Sequence, residues 1–102
     1  MVAIIHGKRY STDTATCVAE YRNGCDYRRA TYIEELLFQK RTGEFFLYGF
    51  GGALSKYAQR YSDGTLSSCE IITPLTEAEA RLWCEQNCSG EEYETIFGVV
   101  EE

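Results

Sequence analysis

The residues best suited to chemistry in this chain are few and widely separated. The only histidine is His6, and Cys84 and Cys88 lie four residues apart in a segment with helical spacing. A helix would place both thiols on one face, where His6 or another cysteine could complete a zinc site. Zinc sites usually combine two close-spaced ligand pairs, and the sequence has one, so we expect packed structural thiols and no metal.

Three other patterns could indicate catalysis or nucleotide binding. The stretch GFGGALSK, residues 49–56, contains glycines and a lysine but lacks the spacing of a phosphate-binding loop. His6 could act in acid–base chemistry with Glu34 or Arg29, but nothing in the spacing indicates that these residues lie within hydrogen-bond reach of one another. The run RTGEFFLYGF faintly resembles the aromatic strand of RNA-recognition modules without matching it. We therefore expect no enzymatic activity, no catalytic residue, no cofactor and no direct binding of nucleic acid.

Length and composition indicate one small domain. The chain has 102 residues, 44% of them hydrophobic, so residues 1–102 can bury a core without disulfides or metal. Its apolar runs are far shorter than the roughly 20 residues of a membrane span, and its first ten residues lack the features of a signal peptide. Together with an odd number of cysteines, five, this predicts a cytoplasmic protein with free thiols and no membrane contact.

Charge is distributed unevenly along the chain. Residues 1–62 carry nine Lys or Arg and six Asp or Glu, whereas residues 63–102 carry one Arg and ten Asp or Glu. The net charge of the whole chain is -6. Such an acidic segment is either a solvated helical surface or an electrostatic surface for a basic partner.

The clearest predicted element is a β-hairpin over residues 31–50. A two-residue Thr42-Gly43 loop would pair Phe38 with Leu47 and Leu37 with Tyr48. One face of this register carries an apolar set that we expect to lie under other strands or against a second copy. That set is Ile33, Leu37, Phe46, Tyr48 and Phe50. Of these, Phe46, Tyr48 and Phe50 are the candidate aromatic anchors for a partner.

The rest of the chain supplies shorter elements. KRYSTDTATCVAEY predicts two strands joined by a polar turn, and residues 51–65 are ambiguous but favour a short helical segment before an Asp-Gly turn. Gly49, Gly51 and Gly52 would mark the bend where the second hairpin strand leaves the sheet. CEIITPL predicts a strand that ends at Pro74.

Two helices close the chain, each with a capping box. Thr76 with Glu79 begins the first, Ser89 with Glu92 begins the second, and Gly98 ends it. Leu82 points away from the core stripe of the first helix and is flanked by acids. The candidate partner surface at this end is Glu79, Leu82, Glu85, Glu91 and Glu92. The predicted fold class is α+β, an antiparallel sheet of about four to five strands with the two C-terminal helices packed on one face.

Three stretches carry a resemblance to a known group: GKRYSTDTATCVAEY, EELLFQKRTGEFFLYGFGGALSKYA and EIITPLTEAEARLW. They resemble a family of small proteins of phages, plasmids and other bacterial mobile elements, a class that includes anti-CRISPR inhibitors. The resemblance implies a non-catalytic protein-binding inhibitor in the cytoplasm of a host bacterial cell, with a CRISPR-Cas or other host defence nuclease as its partner. One alternative is a homo-oligomeric (for example homodimeric) regulatory or antitoxin-like protein. The other is a small nucleic-acid-binding protein or nuclease.

Overall fold

The chain forms an α+β fold in which strands come first and two helices come last. A computed structural model describes residues 1–26 and 28–102. In chain order, the elements of these residues are β1 (Val2–Ile5), β2 (Lys8–Ser11), β3 (Thr16–Arg22), β4 (Ile33–Gln39), β5 (Phe45–Gly51), β6 (Gln59–Arg60), β7 (Leu66–Ser67), β8 (Cys69–Leu75), α1 (Glu77–Asn87) and α2 (Gly90–Phe97). Neither helix is long and apolar enough to cross a membrane.

A four-stranded antiparallel sheet forms the centre of the fold, in the order β3-β4-β5-β8. The helices pack on one face of this sheet and the β1–β2 hairpin packs on the other. The predicted fold class is confirmed. The β1–β2 connection is a two-residue turn in which His6 and Gly7 both have positive φ, 52° and 77°, as a tight hairpin requires.

The β4–β5 hairpin has a different register from the predicted one. Lys40 N donates to Glu44 O at 2.8 Å, and Gly43 N donates to Lys40 O at 2.9 Å. The loop therefore has three residues, with Gly43 at φ 94°, rather than two. Phe38 consequently pairs with Phe46, and Leu37 pairs with Leu47. The predicted pairing was wrong by one residue because the glycine closes a turn of three residues.

The correct register divides the apolar side chains between two cores. On the helical side, Leu37 and Phe45 pack with Ala80, Trp83 and Cys84. On the opposite side, Phe46 is completely buried, with its ring centroid 5.2 Å from that of Phe38 and 5.6 Å from that of Tyr10. The predicted apolar face is therefore divided between the two sides of the sheet. Phe46, Tyr48 and Phe50 lie on the side of the β1–β2 hairpin, whereas Ile33 and Leu37 lie on the helical side.

The segment between β5 and β8 is not helical, contrary to expectation. It consists of turns and the two-residue strands β6 and β7, which pair across the Asp63-Gly64 turn. The Asp63 carboxylate accepts from Thr65 N at 3.0 Å, a local bond that favours a turn over a helix. Pro74 lies inside β8 rather than after it. Proline is tolerated there because β8 is an edge strand of the sheet.

Both predicted capping boxes are confirmed. Glu79 N donates to Thr76 Oγ1 at 3.1 Å, and Thr76 N donates to the Glu79 carboxylate at 2.9 Å. At α2, Glu92 N donates to Ser89 Oγ and Ser89 N donates to the Glu92 carboxylate, both at 3.2 Å. The second helix ends at Gly98, as expected.

Candidate functional site

A buried carboxylate, Glu35, is the most elaborate polar feature of the described residues. It lies on the helical side of β4 and is 4% exposed. Trp83 of α1 donates its indole N–H to Oε1 at 3.0 Å, and the Lys56 ammonium lies 2.9 Å from Oε2. The Tyr57 hydroxyl also donates to Oε2. Three donors from two separate segments thus converge on one carboxylate.

Glycines in β5 make room for this cluster. A Cβ at Gly49 would overlap the Tyr57 ring, and a Cβ at Gly51 would overlap the Ser55 side chain. Both glycines lie within β5, whose ladder continues to Gly51. The predicted bend at Gly49 is therefore wrong, whereas β5 ends at Gly51 and Gly52 follows it, as expected. Gly49 and Gly51 let the segment after the strand fold back across it, so that Tyr57 reaches Glu35.

The environment of Glu35 suits a structural role. Burial acts to raise the pKa of Glu35, but hydrogen bonds from Tyr57, Lys56 and Trp83 outweigh it and hold that pKa below its ordinary value. Burial, reinforced by the bond to Glu35, raises the pKa of Tyr57. Since both carboxylate oxygens already have internal donors, the cluster fastens residues 52–58 and α1 to the sheet.

The predicted aromatic anchors have unequal exposure. Phe46 is fully buried beneath the β1–β2 hairpin, so it is core in this conformation. Tyr48 and Phe50 are half-buried on the same face. Tyr48 packs against the core cluster that contains Phe46, and the ring centroid of Phe50 lies 6.0 Å from that of Tyr32. Tyr48 donates its hydroxyl to Glu70, and burial together with this bond raises the pKa of Tyr48 to about 12. Next to Tyr48, a cavity of about 360 Å³ is lined by Met1, Thr12, Leu36, Phe38, Tyr48 and Glu70.

The predicted acidic surface lies on the helices, on the other face of the sheet. Leu82 is 54% exposed, as its position in the helix predicts. The carboxylates of Glu79 and Glu92 are engaged in the two capping boxes. Glu85 and Glu91 are exposed, and among the described residues their carboxylates have no hydrogen-bond donor or cation. The free carboxylates of this set are thus Glu85 and Glu91.

A cavity of about 370 Å³ opens between the two helices and the last residues of the chain. It is lined by Cys84, Glu85, Cys88, Ser89, Gly90, Tyr93, Glu94 and Val100. Burial and the neighbouring Cys84 thiol raise the pKa of Cys88 to about 12, so this thiol is protonated and behaves as an apolar group. The cavity therefore combines apolar walls with the carboxylates of Glu85 and Glu94.

The structure does not bring all candidate residues together. Tyr48 and Phe50 lie on the hairpin-covered face, whereas Leu82, Glu85 and Glu91 lie on the helices across the sheet. These two groups cannot contact one flat partner surface at the same time. Sequence reasoning missed Glu94 and Val100, whose part in the cavity depends on how the tail folds back. Val100 N donates to the Glu94 carboxylate at 3.0 Å.

His6 and the cysteine pair Cys84 and Cys88, the candidate zinc ligands, lie on opposite sides of the sheet. His6 lies in the exposed β1–β2 turn, in a hairpin that packs on the face opposite α1. All five cysteines are free. Residues 1–26 and 28–102 contain no cluster of three or more His, Cys, Asp or Glu that could hold a metal ion.

Comparisons with known proteins identify no relative of this chain. No family model, curated protein or solved structure matches the chain at a significant level. The candidate site therefore rests on its own geometry and charge.

Proposed function

We propose that the protein is a non-catalytic protein-binding domain that uses its acidic helical surface to bind a basic partner. The observation that carries the proposal is the cavity between α1, α2 and the tail, which joins apolar walls to the carboxylates of Glu85 and Glu94. Leu82, more than half exposed, lies on α1, which also provides Glu85.

The geometry matches the chemistry of a lysine or arginine side chain. Such side chains bury an apolar stem while keeping a charged head near water or a carboxylate. The walls formed by Cys84, Cys88 and Tyr93 would contact the stem, and Glu85 or Glu94 would accept from the head. The one cation of the helices, Arg81, is already used internally. It lies 3.3 Å from the Glu77 carboxylate and donates to the Tyr93 hydroxyl at 3.2 Å.

The specific form of the proposal is an inhibitor from a mobile element that occupies a basic channel of a host defence nuclease. Nucleic-acid channels are lined with Lys and Arg because they neutralise phosphates. The two helices carry six carboxylates against one arginine over residues 77–97, and this acidic surface complements such a lining. The resemblance to mobile-element proteins supports this choice of partner.

Affinity capture from a bacterial lysate tests the proposal when a matched variant is included. The wild-type chain and a Glu85→Lys/Glu91→Lys variant are used as baits, and retained proteins are compared by quantitative mass spectrometry. We expect a basic nuclease to be retained by the wild type and lost with the variant. A nuclease retained equally by both baits would contradict the use of this surface.

A homodimer with a regulatory role is the second candidate. Val2 and Ile4 point away from the core on the outer side of β1, 47% and 67% exposed. Two such apolar positions side by side favour contact with another copy. Light scattering distinguishes the two candidates, since a dimer that becomes a monomer with Ile4→Glu would support the second.

A further inference from the structure

A pocket of cationic side chains lies in this otherwise acidic protein. Arg9 and Ser11 of β2, Thr14 of the following loop, and Lys40 and Arg41 of the β4–β5 turn line a cavity of about 300 Å³. Two segments that are distant in sequence, residues 9–14 and 40–41, therefore bring three cations and two hydroxyls to one place.

Lys40 is held firmly in this pocket. Its ammonium lies 3.7 Å from the centroid of the Tyr10 ring, and its side chain is only 14% exposed. The Glu44 carboxylate lies 3.7 Å from Lys40 Nζ and 3.3 Å from Lys8 Nζ. One carboxylate is thus shared by two ammonium groups, which leaves a surplus of positive charge.

Arg9 and Arg41 add to this surplus. Both are exposed, and neither has a carboxylate within ion-pair distance among residues 1–26 and 28–102. Over residues 8–15 and 40–44 there are four cations against two carboxylates, those of Asp13 and Glu44. The Ser11 hydroxyl oxygen accepts from Asp13 N at 3.1 Å, so its hydrogen is left to donate.

We infer that this pocket binds a single phosphate group, carried by a small phosphorylated molecule or present as free phosphate. Guanidinium groups pair with phosphate oxygens through two parallel bonds, and a fixed ammonium and hydroxyls complete the usual donor set. A nucleic-acid strand requires an extended track of cations along successive phosphates. The four cations of residues 8–15 and 40–44 provide no such track on a chain of net charge -6. This inference does not depend on the proposed protein-binding function.

Titration of the full chain followed by ¹⁵N–¹H NMR tests the inference. Inorganic phosphate and glycerol phosphate are added separately at constant ionic strength, with chloride as the balancing anion. We expect saturable shifts confined to residues 8–15 and 40–44. Tighter binding of glycerol phosphate supports a small phosphorylated ligand, whereas equal or tighter binding of inorganic phosphate supports free phosphate.

Three variants sharpen the result. Arg9→Gln and Arg41→Gln should each weaken binding about tenfold or more, the loss expected for one charge-assisted bond. Arg60→Gln removes an equivalent exposed charge from β6 and should leave the affinity unchanged. Unchanged melting temperatures would show that the variants fold. Absence of saturable shifts, equal weakening by Arg60→Gln, or tighter binding of a single-stranded oligonucleotide than of either phosphate would overturn the inference.

Discussion

Glu35 shows how a single residue can join separate parts of this small fold. Its carboxylate accepts from Trp83 of α1 and from Tyr57, and pairs with Lys56, while it is itself 4% exposed. A buried polar group without a hydrogen-bond partner is costly. Loss of the Glu35 carboxylate would leave both the Trp83 N–H and the Tyr57 hydroxyl without their acceptor. The cluster therefore stabilises the position of α1 as well as that of residues 52–58.

Replacing Glu35 with Ala should lower the free energy of unfolding by about 2–3 kcal/mol, the range expected for hydrogen bonds to a charged group. Urea unfolding followed by Trp83 fluorescence measures the change, since this is the only tryptophan. Glu85→Ala, at an exposed carboxylate, is the matched control and should change stability by less than about 0.5 kcal/mol. Equal stability of the two variants would show that the cluster does not fasten the fold.

The same carboxylate should make stability depend on pH. The folded pKa of Glu35 lies below its ordinary value of 4.5, so the unfolded chain binds a proton first as pH falls. The stabilisation is complete above the unfolded pKa and is lost as pH falls through the folded pKa. We expect the Glu35→Gln variant to lose less stability than the wild type between neutral pH and pH of about 3. Parallel stability curves for the two proteins would contradict this assignment.

Phe46 is a candidate surface anchor that the strands of the β1–β2 hairpin cover. It was predicted as an anchor at a surface, but it is fully buried between Tyr10 and Phe38. Phe46→Ala should therefore cost about 3–5 kcal/mol of stability, as cavity-forming substitutions do. Leu82→Ala should cost far less, since Leu82 is 54% exposed. Thermal unfolding of both variants measures the difference, and a small loss for Phe46→Ala would imply that the β1–β2 hairpin does not cover it.

At the scale of elements, β5 and the segment after it form one unit. Gly49 leaves space for the Tyr57 ring, so the two positions should be energetically coupled. Gly49→Ala should destabilise the wild type strongly but the Tyr57→Ala variant little. A double-mutant cycle measured by urea unfolding should give a coupling of about 1 kcal/mol or more. Additive effects of the two substitutions would mean that the ring does not lie over the glycine.

The helices carry two kinds of carboxylate: those that cap a helix and stabilise it, and those that are free to bind a partner. Thr76→Ala should cost about 1 kcal/mol because it removes the N-cap acceptor of α1. Glu79→Lys should also destabilise, because it breaks the bond to Thr76 N and puts a cation at a helix N-terminus. Glu85→Lys should be neutral. Circular dichroism melting curves provide the comparison, and a neutral Glu79→Lys would return Glu79 to the candidate partner surface.

The elements that could be predicted from the sequence are those specified by local signals. The capping boxes, the ends of α2 and the α+β class were predicted because each depends on residues within a few positions. The hairpin register was missed because Gly43 is compatible with loops of two or three residues. The Glu35 cluster and the cavity with Glu94 and Val100 could not be predicted, since they depend on contacts between distant segments.

At the scale of the whole molecule, charge is separated between surfaces. The helices carry Glu85 and Glu91, whose carboxylates have no partner within residues 1–26 and 28–102, while Arg9 and Arg41 line a cationic pocket. A field of this kind steers association with a charged partner over distances of about a Debye length, roughly 8–10 Å at moderate salt. We expect the acidic surface to determine how quickly a basic partner is met, and Leu82 with the apolar cavity walls to determine how long it stays.

Association kinetics with the captured partner test the central claim most directly. The wild type and the Glu85→Lys/Glu91→Lys variant are compared by biolayer interferometry over a series of salt concentrations, with Arg60→Gln as the control. We predict that the charge-reversal variant associates about tenfold more slowly at low salt and that its association rate depends less steeply on salt. Its melting temperature should fall only slightly, because neither carboxylate has a partner among the described residues. The cation that Glu91→Lys puts in the first turn of α2 should cost at most about 1 kcal/mol. An association rate and salt dependence equal to those of the wild type would contradict the claim that the acidic helical surface binds the partner.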